Sequence, residues 1–350
     1  MRSSADTVGF GIIGCGVVAP THAVALDAIE NVRLLAAADS MAPRAENFCK
    51  EFSVPKACRD YRELLDNPDI QAVCVCTPHH AHASVAIEAA RAGKHVLVEK
   101  PMATTLADAD AVIRACEEAN VRLGVVFQHR FDPASRYVKQ LLQEGVLGKP
   151  VLGGVHVLWF RTSDYYDSQS WRGRWETAGG GVLINQAIHA VDILCWLMGP
   201  VVRVAGYCNA CVHPIEVEDT AAAALYFENG ALGVIQASTT TYPQTPERVE
   251  LAGSQGTITI EGGQITRHEL AGQRADAPQL SAEDPRFRGK SYYGASHPRL
   301  LEDFVEAIRE DRPPLVDGRE GRKALEVVSA VYESSRTGRP VVLPGSSQEQ

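Results

Sequence analysis

The stretch that most restricts the fold of this chain lies near its start: "GFGIIGCGVVAP", residues 9–20. An apolar strand-like run, Val8–Ile13, ends on Gly14-x-Gly16-x-x-Ala19, and a helical pattern follows to about Ile29. Gly14 permits a tight turn, Gly16 lets a backbone approach a pyrophosphate, and Ala19 lets the helix pack close against the strand. Val17 and Val18 lead into a helix N-terminus whose N–H groups and positive dipole end suit phosphate oxygens. A second apolar run, Val32–Ala38, ends at Asp39, twenty residues beyond Ala19. A carboxylate there accepts hydrogen bonds from adenosine ribose hydroxyls and repels a 2′-phosphate. The pattern predicts a dinucleotide site that favours NAD over NADP, with Arg44 a nearby cation able to turn toward a phosphate.

The alternation continues. Ile70–Cys76 reads as a strand closed by Thr77-Pro78, and Ser84–Ala92 as a helix. His95–Val98 is a strand stopped at Lys100-Pro101, and the helix Leu106–Ala119 leads to Val121–Phe127. Strands separated by helices predict a parallel sheet with helical crossovers, an α/β Rossmann domain over residues 1–127. Ligands of such sheets bind at the carboxyl ends of the strands. Thr77, Pro78, His79, His82, Glu99, Lys100 and Gln128 therefore join the glycine turn as candidate cofactor-binding residues.

The character changes beyond that point. A helix near Pro133–Leu142 precedes a long strand, Val151–Arg161. Strand-like segments follow at Val201–Cys208, Thr220–Phe227, Ala231–Thr241, Arg248–Ala252 and Thr257–Ile260, with Asn229-Gly230 signalling a hairpin. Residues 128–350 thus read as an α+β domain with an open, mostly antiparallel sheet. Residues 262–292 show no readable element. Closing helices near Pro298–Arg309 and Arg319–Arg336 are able to pack back on the first domain.

Composition narrows the function. The 350 residues are enough for two cores, and a net charge of −9 with pI near 5.7 argues against nucleic-acid or anionic-membrane partners. "MRSSADTVGF" has no apolar signal core, no uninterrupted apolar run reaches spanning length, and the nine cysteines are scattered through apolar segments. A cytoplasmic enzyme with reduced thiols is expected. An open sheet leaves an apolar face in a monomer, which predicts a homodimer or homotetramer.

The segment "GGGVLINQAIHAVDILCW", residues 179–196, carries the chemistry. In a helix, Ile184, Ile188, Val191 and Cys195 form an apolar stripe, and Asn185, His189, Asp192 and Trp196 repeat that spacing one residue on. The second stripe reads either as a catalytic constellation or as a polar seam in a packed core. Ahead of it, "DYYDSQSWRGRW" offers Tyr165, Tyr166, Trp171, Arg172 and Trp175. Aromatic faces pack on sugar C–H faces, and arginines bind carboxylate or diphosphate. "FQHRF" brings Gln128 and Arg130 to the end of the last parallel strand. The His-His-x-His run at 79–82 lacks a second ligand cluster with zinc-site spacing, so no metal is expected.

Read together, "GIIGCGVVAPTH", "CTPHHAHASVAIEAARAGKHVLVEKPMA" and "GGGVLINQAIHAVD" resemble the Gfo/Idh/MocA oxidoreductases, the family of glucose–fructose oxidoreductase and inositol dehydrogenase. The resemblance extends over almost the whole chain. It implies that Lys100 and His189 lie at the nicotinamide, in a cleft between the domains. The family usually has aspartate four residues before the histidine, where this chain has Asn185. An amide there hydrogen-bonds a substrate hydroxyl without supplying negative charge. The expected activity is NAD(P)-dependent hydride transfer between a nicotinamide and a secondary hydroxyl or ketone of a sugar, sugar derivative or cyclitol. His189 is the general base and Lys100 stabilises alkoxide character at the reacting oxygen. Asn185, Arg130, Trp171, Arg172 and Tyr166 are expected to bind substrate, with Asp192 either restraining the imidazole or capping the polar stripe. The alternatives are an NAD-dependent glycosidase of the same fold, or a non-catalytic NAD-binding regulator, for which a hydride-transfer pair has no use.

Overall fold

The computed structural model describes residues 7–270, 273–274 and 294–344. Its contacts divide the chain into two units. The first takes the residues up to 128 together with 294–322; the second takes 129–274 and 323–344. The sequence boundary at 127 places the closing helices in the second domain while leaving them able to pack back on the first; the helix His297–Arg309 groups with the first unit.

In the first unit, β1 (Val8–Ile13), β2 (Val32–Ala38), β3 (Lys56–Cys58), β4 (Ala72–Val75), β5 (His95–Val98) and β6 (Leu123–Val125) form a parallel sheet in the order β3-β2-β1-β4-β5-β6. β1 is buried along its whole length, with Ile12 opposite Ala37 on one side and Cys74 on the other. Such continuous apolar strands are the signature of a sheet covered on both faces. Strand order reverses between β1 and β4, so the segments that leave their carboxyl ends diverge and open a crevice there. Gly14, Thr77, Glu99 and Lys100, and Gln128 follow β1, β4, β5 and β6 respectively. The His297–Arg309 helix covers this sheet, with Phe304 edge-on to Phe10 at 6.5 Å between ring centroids. The helix Ala42–Phe52 and the short β3 were not named from sequence.

The second unit is built on a nine-stranded sheet. Its strands are β7 (Pro150–Leu158), β8 (Val201–Asn209), β9 (Thr220–Phe227), β10 (Leu232–Ser238), β11 (Arg248–Gly253), β12 (Gly256–Glu261), β13 (Gln264–Leu270), β14 (Gln273–Arg274) and β15 (Val341–Val342). Their order is β14-β13-β12-β11-β7-β10-β9-β8-β15; β7 and β10 run parallel, and the other pairs antiparallel. One face buries Val155, Val157, Ile235, Val249 and Leu251. Against it packs the helix Ile188–Met198, so closely that a Cβ on Gly153 would meet Leu194 at 2.7 Å. On the other face the register sets Leu152, Leu232 and Tyr226 side by side, and these are 45%, 53% and 44% exposed. β13 lies in a stretch that sequence left without an element.

The run Trp175–Met198 is long and apolar enough, by length and composition, to cross a membrane, a feature the sequence reading did not register. Its most apolar window is 89% buried inside the protein, and it is the core helical segment of this unit.

Candidate active site

The glycine turn is shaped by neighbours on one side and by open space on the other. Gly14 has φ +95°, and a Cβ there would lie 2.6 Å from the Cys76 carbonyl oxygen, so only glycine fits. Gly16 is the converse: a Cβ would meet nothing within 4 Å. Val17 is 85% exposed beside this gap. The helix Ala19–Asp27 starts from Val18 with no side-chain cap; Pro20 has no N–H and the Thr21 N–H donates to the Val18 carbonyl at 3.0 Å, so an external acceptor would meet the N–H groups ahead of Pro20. Asp39 is fixed beside the turn, accepting from the Cys15 N–H at 3.0 Å and the Met41 N–H at 2.9 Å. Arg44 is exposed on the Ala42–Phe52 helix. An open turn, an uncapped helix start and an anchored carboxylate fit a dinucleotide.

At the end of β4, the Thr77 hydroxyl oxygen is buried with no partner among the described residues, an orphan that a bound ligand would satisfy. Pro78 precedes the helix His79–Arg91, and His79 is its buried first residue. His82 has both ring nitrogens turned to the backbone, 2.7 Å from the Thr77 carbonyl and 2.7 Å from the Pro101 carbonyl. It therefore ties the two strand-end segments together, and the expectation that it binds cofactor gives way to this role. Burial lowers its pKa.

Glu99 corrects another expectation. Its carboxylate is buried, accepting from the His22 ring at 2.8 Å and from the Lys100 N–H at 3.2 Å. Burial pushes this carboxyl up, but the His22 hydrogen bond and charge outweigh it and hold the pKa below the usual value. The His22 pKa rises well above its ordinary value: burial opposes this, and the surrounding thiols and Glu99 prevail. His297 meets the His22 ring edge-on at 5.5 Å. Glu99 thus holds the backbone of Lys100 from the interior, while the Lys100 side chain is half-buried. Gln128 is fully buried at the end of β6.

In the second unit, the three glycines lead into a π-turn, Leu183–Ala187, which continues as the α-helix Ile188–Met198. Gly180 has φ +150°, and a Cβ on Gly181 would overlap the Glu218 backbone. The Glu218 carboxylate accepts from the N–H groups of Gly181 and Leu183 at 2.8 and 2.9 Å, and from the Tyr332 hydroxyl at 2.9 Å. Burial nevertheless pushes the Glu218 carboxyl up to about 7. The π-turn overturns the uniform α-helix expected from sequence, because its wider winding separates the register of Asn185 from that of His189.

His189 is buried, and the ring of His129 meets it edge-on at 5.1 Å. His129 Nδ1 lies 2.6 Å from Asp132, and Nε2 3.7 Å from Glu247. Burial opposes the cation here, yet these carboxylates raise the His129 pKa to about 9. Arg130 turns inward. Its guanidinium is 1% exposed and donates through Nε and Nη2 to both oxygens of Asp192, at 2.9 and 2.7 Å. That bidentate pair turns Arg130 into the protein interior and takes it out of the substrate-binding set. Tyr166 is likewise structural, being buried with its hydroxyl 2.7 Å from Thr239 Oγ1. Its neighbour Tyr165 instead receives the amide N–H groups of Asn185 and Gln186 at 3.1 and 3.0 Å. Arg172 stacks on the Tyr165 ring at 4.1 Å and lies 5.5 Å from the ring of Trp171, which is half-buried.

The sequence reading does not single out His22, His129 or Glu218, and it names Tyr166 rather than Tyr165 for substrate. His22 and His129 stand inside motifs that were quoted. Glu218 reaches its glycines across 37 residues and left no local signal.

Two family models match the chain. Residues 8–127 match the oxidoreductase family NAD-binding Rossmann fold, and residues 139–343 the oxidoreductase family C-terminal alpha/beta domain. The chain belongs to the Gfo/Idh/MocA oxidoreductase family. It is 30% identical to a myo-inositol 2-dehydrogenase of Thermotoga maritima, an alignment covering 95% of this chain and 98% of that protein. Among solved structures it is similar to the WlbA dehydrogenase from Bordetella pertussis in complex with NADH and UDP-GlcNAcA. That match has 33% identity and a TM-score of 0.84, covering 97% of this chain and all of the other. A levoglucosan dehydrogenase in complex with NADH and levoglucosan gives a TM-score of 0.88 at 25% identity, covering 97% and 100%.

Proposed function

We propose that this chain is an NAD-dependent dehydrogenase or reductase acting on a secondary hydroxyl or ketone of a sugar, sugar derivative or cyclitol. The observation that carries it is the glycine turn: a gap above Gly16, an uncapped helix start and Asp39 held by two N–H groups. The relatives named for inositol and levoglucosan oxidation support the substrate class. NAD, when bound, supplies the hydride acceptor. Gly14, Gly16, Val17, Val18 and Asp39 would hold its adenosine diphosphate half, and Thr77, Pro78 and His79 the half nearer the chemistry. The carboxylate of Asp39 disfavours the 2′-phosphate of NADP.

His189 takes the hydroxyl proton during oxidation and returns it in reduction. Lys100 donates a hydrogen bond to the reacting oxygen and stabilises its alkoxide character. Glu99 fixes the Lys100 backbone, and Asn185 orients a neighbouring hydroxyl. The exposed face bearing Leu152, Leu232 and Tyr226 pairs with a second copy of the chain, and the protein works in the cytoplasm as a homo-oligomer.

The test is absorbance at 340 nm with NAD or NADP against free sugars, inositols, sugar acids and nucleotide sugars. Sustained NADH formation with one class supports the reading. Silence across the panel, with NAD retained in the purified protein, overturns it in favour of chemistry that regenerates its own cofactor.

A further inference from the structure

One group of side chains in the second unit has no role in the chemistry above. Arg161 and Arg172 share the ring of Tyr165, their guanidinium carbons 5.6 and 4.1 Å from its centroid. Arg161 also lies over Trp159 at 4.9 Å. Like charges gathered on one ring repel, so the arrangement needs a compensating anion or strong solvation. Among the described residues, their hydrogen-bond acceptors are neutral oxygens. Arg161 donates to the Phe160 carbonyl at 2.8 Å and to Gln244 Oε1 at 3.4 Å; Arg172 donates to the Tyr165 carbonyl at 2.9 Å and Ser168 Oγ at 3.0 Å. Both guanidinium groups use only Nη1 in these bonds. Arg172 Nε is buried with no partner among the described residues, an omission that natural structures rarely tolerate. Stacked guanidinium planes keep their donor edges free and their orientation fixed, which suits bidentate capture of carboxylate or phosphate.

The cluster is also tied to the catalytic helix. The Tyr165 hydroxyl accepts from both Asn185 and Gln186, so its own O–H remains to donate. Asn185 stands four residues before His189. The cluster is thereby joined, through Asn185 and Gln186, to the same helical segment that carries His189.

We infer that Arg161 and Arg172, flanking Tyr165, form an anion subsite, and that the substrate is a sugar bearing a carboxylate or phosphate group. This rests on the hydride-transfer reading for its placement in the substrate site. The anion is bound and no covalent step occurs there.

The experiment measures binding by calorimetry to the full chain saturated with NADH, using D-glucose, D-glucuronate, D-glucose 6-phosphate, UDP-glucose and UDP-glucuronate. The wild-type chain is compared with Arg172→Gln, Arg161→Gln/Arg172→Gln and Arg172→Lys. NADH binding and circular dichroism identify any variant that fails to fold. At least one charged probe is expected to bind tenfold or more tighter than D-glucose. That advantage should fall at least tenfold in R172Q, be largely retained in R172K, and weaken as salt rises. Preference for glucuronate identifies a sugar carboxylate, preference for glucose 6-phosphate a sugar phosphate, and equal gain from both UDP sugars a diphosphate. Equal affinity for charged and neutral probes, or an advantage intact in the double variant, overturns the subsite. Because binding is read without turnover, a charge-dependent Kd together with silence across the 340 nm panel would sink the dehydrogenase reading and leave the subsite standing.

Discussion

The rings of His129 and His189 meet edge-on, 5.1 Å apart, and His129 is held cationic by Asp132 and Glu247. A positive charge beside a general base opposes its protonation. Replacing His129 by Gln removes the charge and should raise the acid-limb pKa of kcat/KM by about one unit. His129→Arg should keep the limb near its original position. An acid limb that does not move in H129Q would show that His129 only fills space.

Gly14 and Gly16 should fail in opposite ways. Gly14→Ala forces a Cβ onto the Cys76 carbonyl at a positive φ, and should destabilise the fold by about 2 kcal/mol or more. Gly16→Val places its side chain in open space. It should melt like the parent while losing at least tenfold in NADH affinity by fluorescence titration. Normal NADH binding by G16V would remove the turn from the cofactor site.

Asp192→Ala should be among the most damaging single changes. It leaves the 1%-exposed guanidinium of Arg130 buried without its bidentate acceptor, a loss of about 3–5 kcal/mol. Chemical denaturation measures it. A loss below about 1 kcal/mol would mean that water reaches Arg130 readily.

Two raised pKa values each pull stability down as pH rises. The Glu218 carboxyl, raised to about 7 by burial, binds its proton more tightly in the folded state, so stability falls between its unfolded value and about 7. His129, raised to about 9 by its carboxylates against the pull of burial, gives stability that is full below the unfolded histidine value. That contribution is lost as pH rises through about 9. Melting temperature against pH should therefore fall from about pH 7 to 9 in the parent, whereas below about 6.5 the lowered pKa of buried His82 opposes the Glu218 loss. In His129→Gln the fall over the upper window should become shallower, the remainder coming from His22, whose pKa is also raised well above its ordinary value. A parent curve that rises from pH 7 to 9 would contradict the His129 assignment.

Leu232→Glu and Val234→Glu introduce charges on the exposed sheet face, beside Leu152 and Tyr226. Light scattering at micromolar concentration should show a homo-oligomer for the parent and a smaller species for the double variant. A parent that is already monomeric would remove the paired-sheet proposal.

The parts legible from sequence were those written in local patterns. The Gly14-x-Gly16 turn, the alternation of strands and helices, and the β9–β10 hairpin at Asn229-Gly230 each depend on neighbours a few residues away. The inward roles of Arg130 and Tyr166 were not legible, because apolar periodicity does not reveal which buried polar group faces which. Arg130 finds its carboxylate 62 residues away, and Tyr166 its hydroxyl partner 73 residues away. Tyr165 and Tyr166 are adjacent, and only the folded chain decides which points at Thr239 and which at Asn185. The π-turn was hidden for a different reason: its residues are as apolar and helix-compatible as those of the α-helix after it.

That turn, Leu183–Ala187, makes the segment length-sensitive. Each residue of an α-helix advances the side-chain direction by about 100°. Deleting one residue within the turn would regularise the helix and give a better-formed backbone. It would also rotate Asn185 and its contact with Tyr165 away from their present bearing on His189. The more ideal helix would thus be the less useful one, and stabilising redesigns that straighten this segment should trade away substrate alignment.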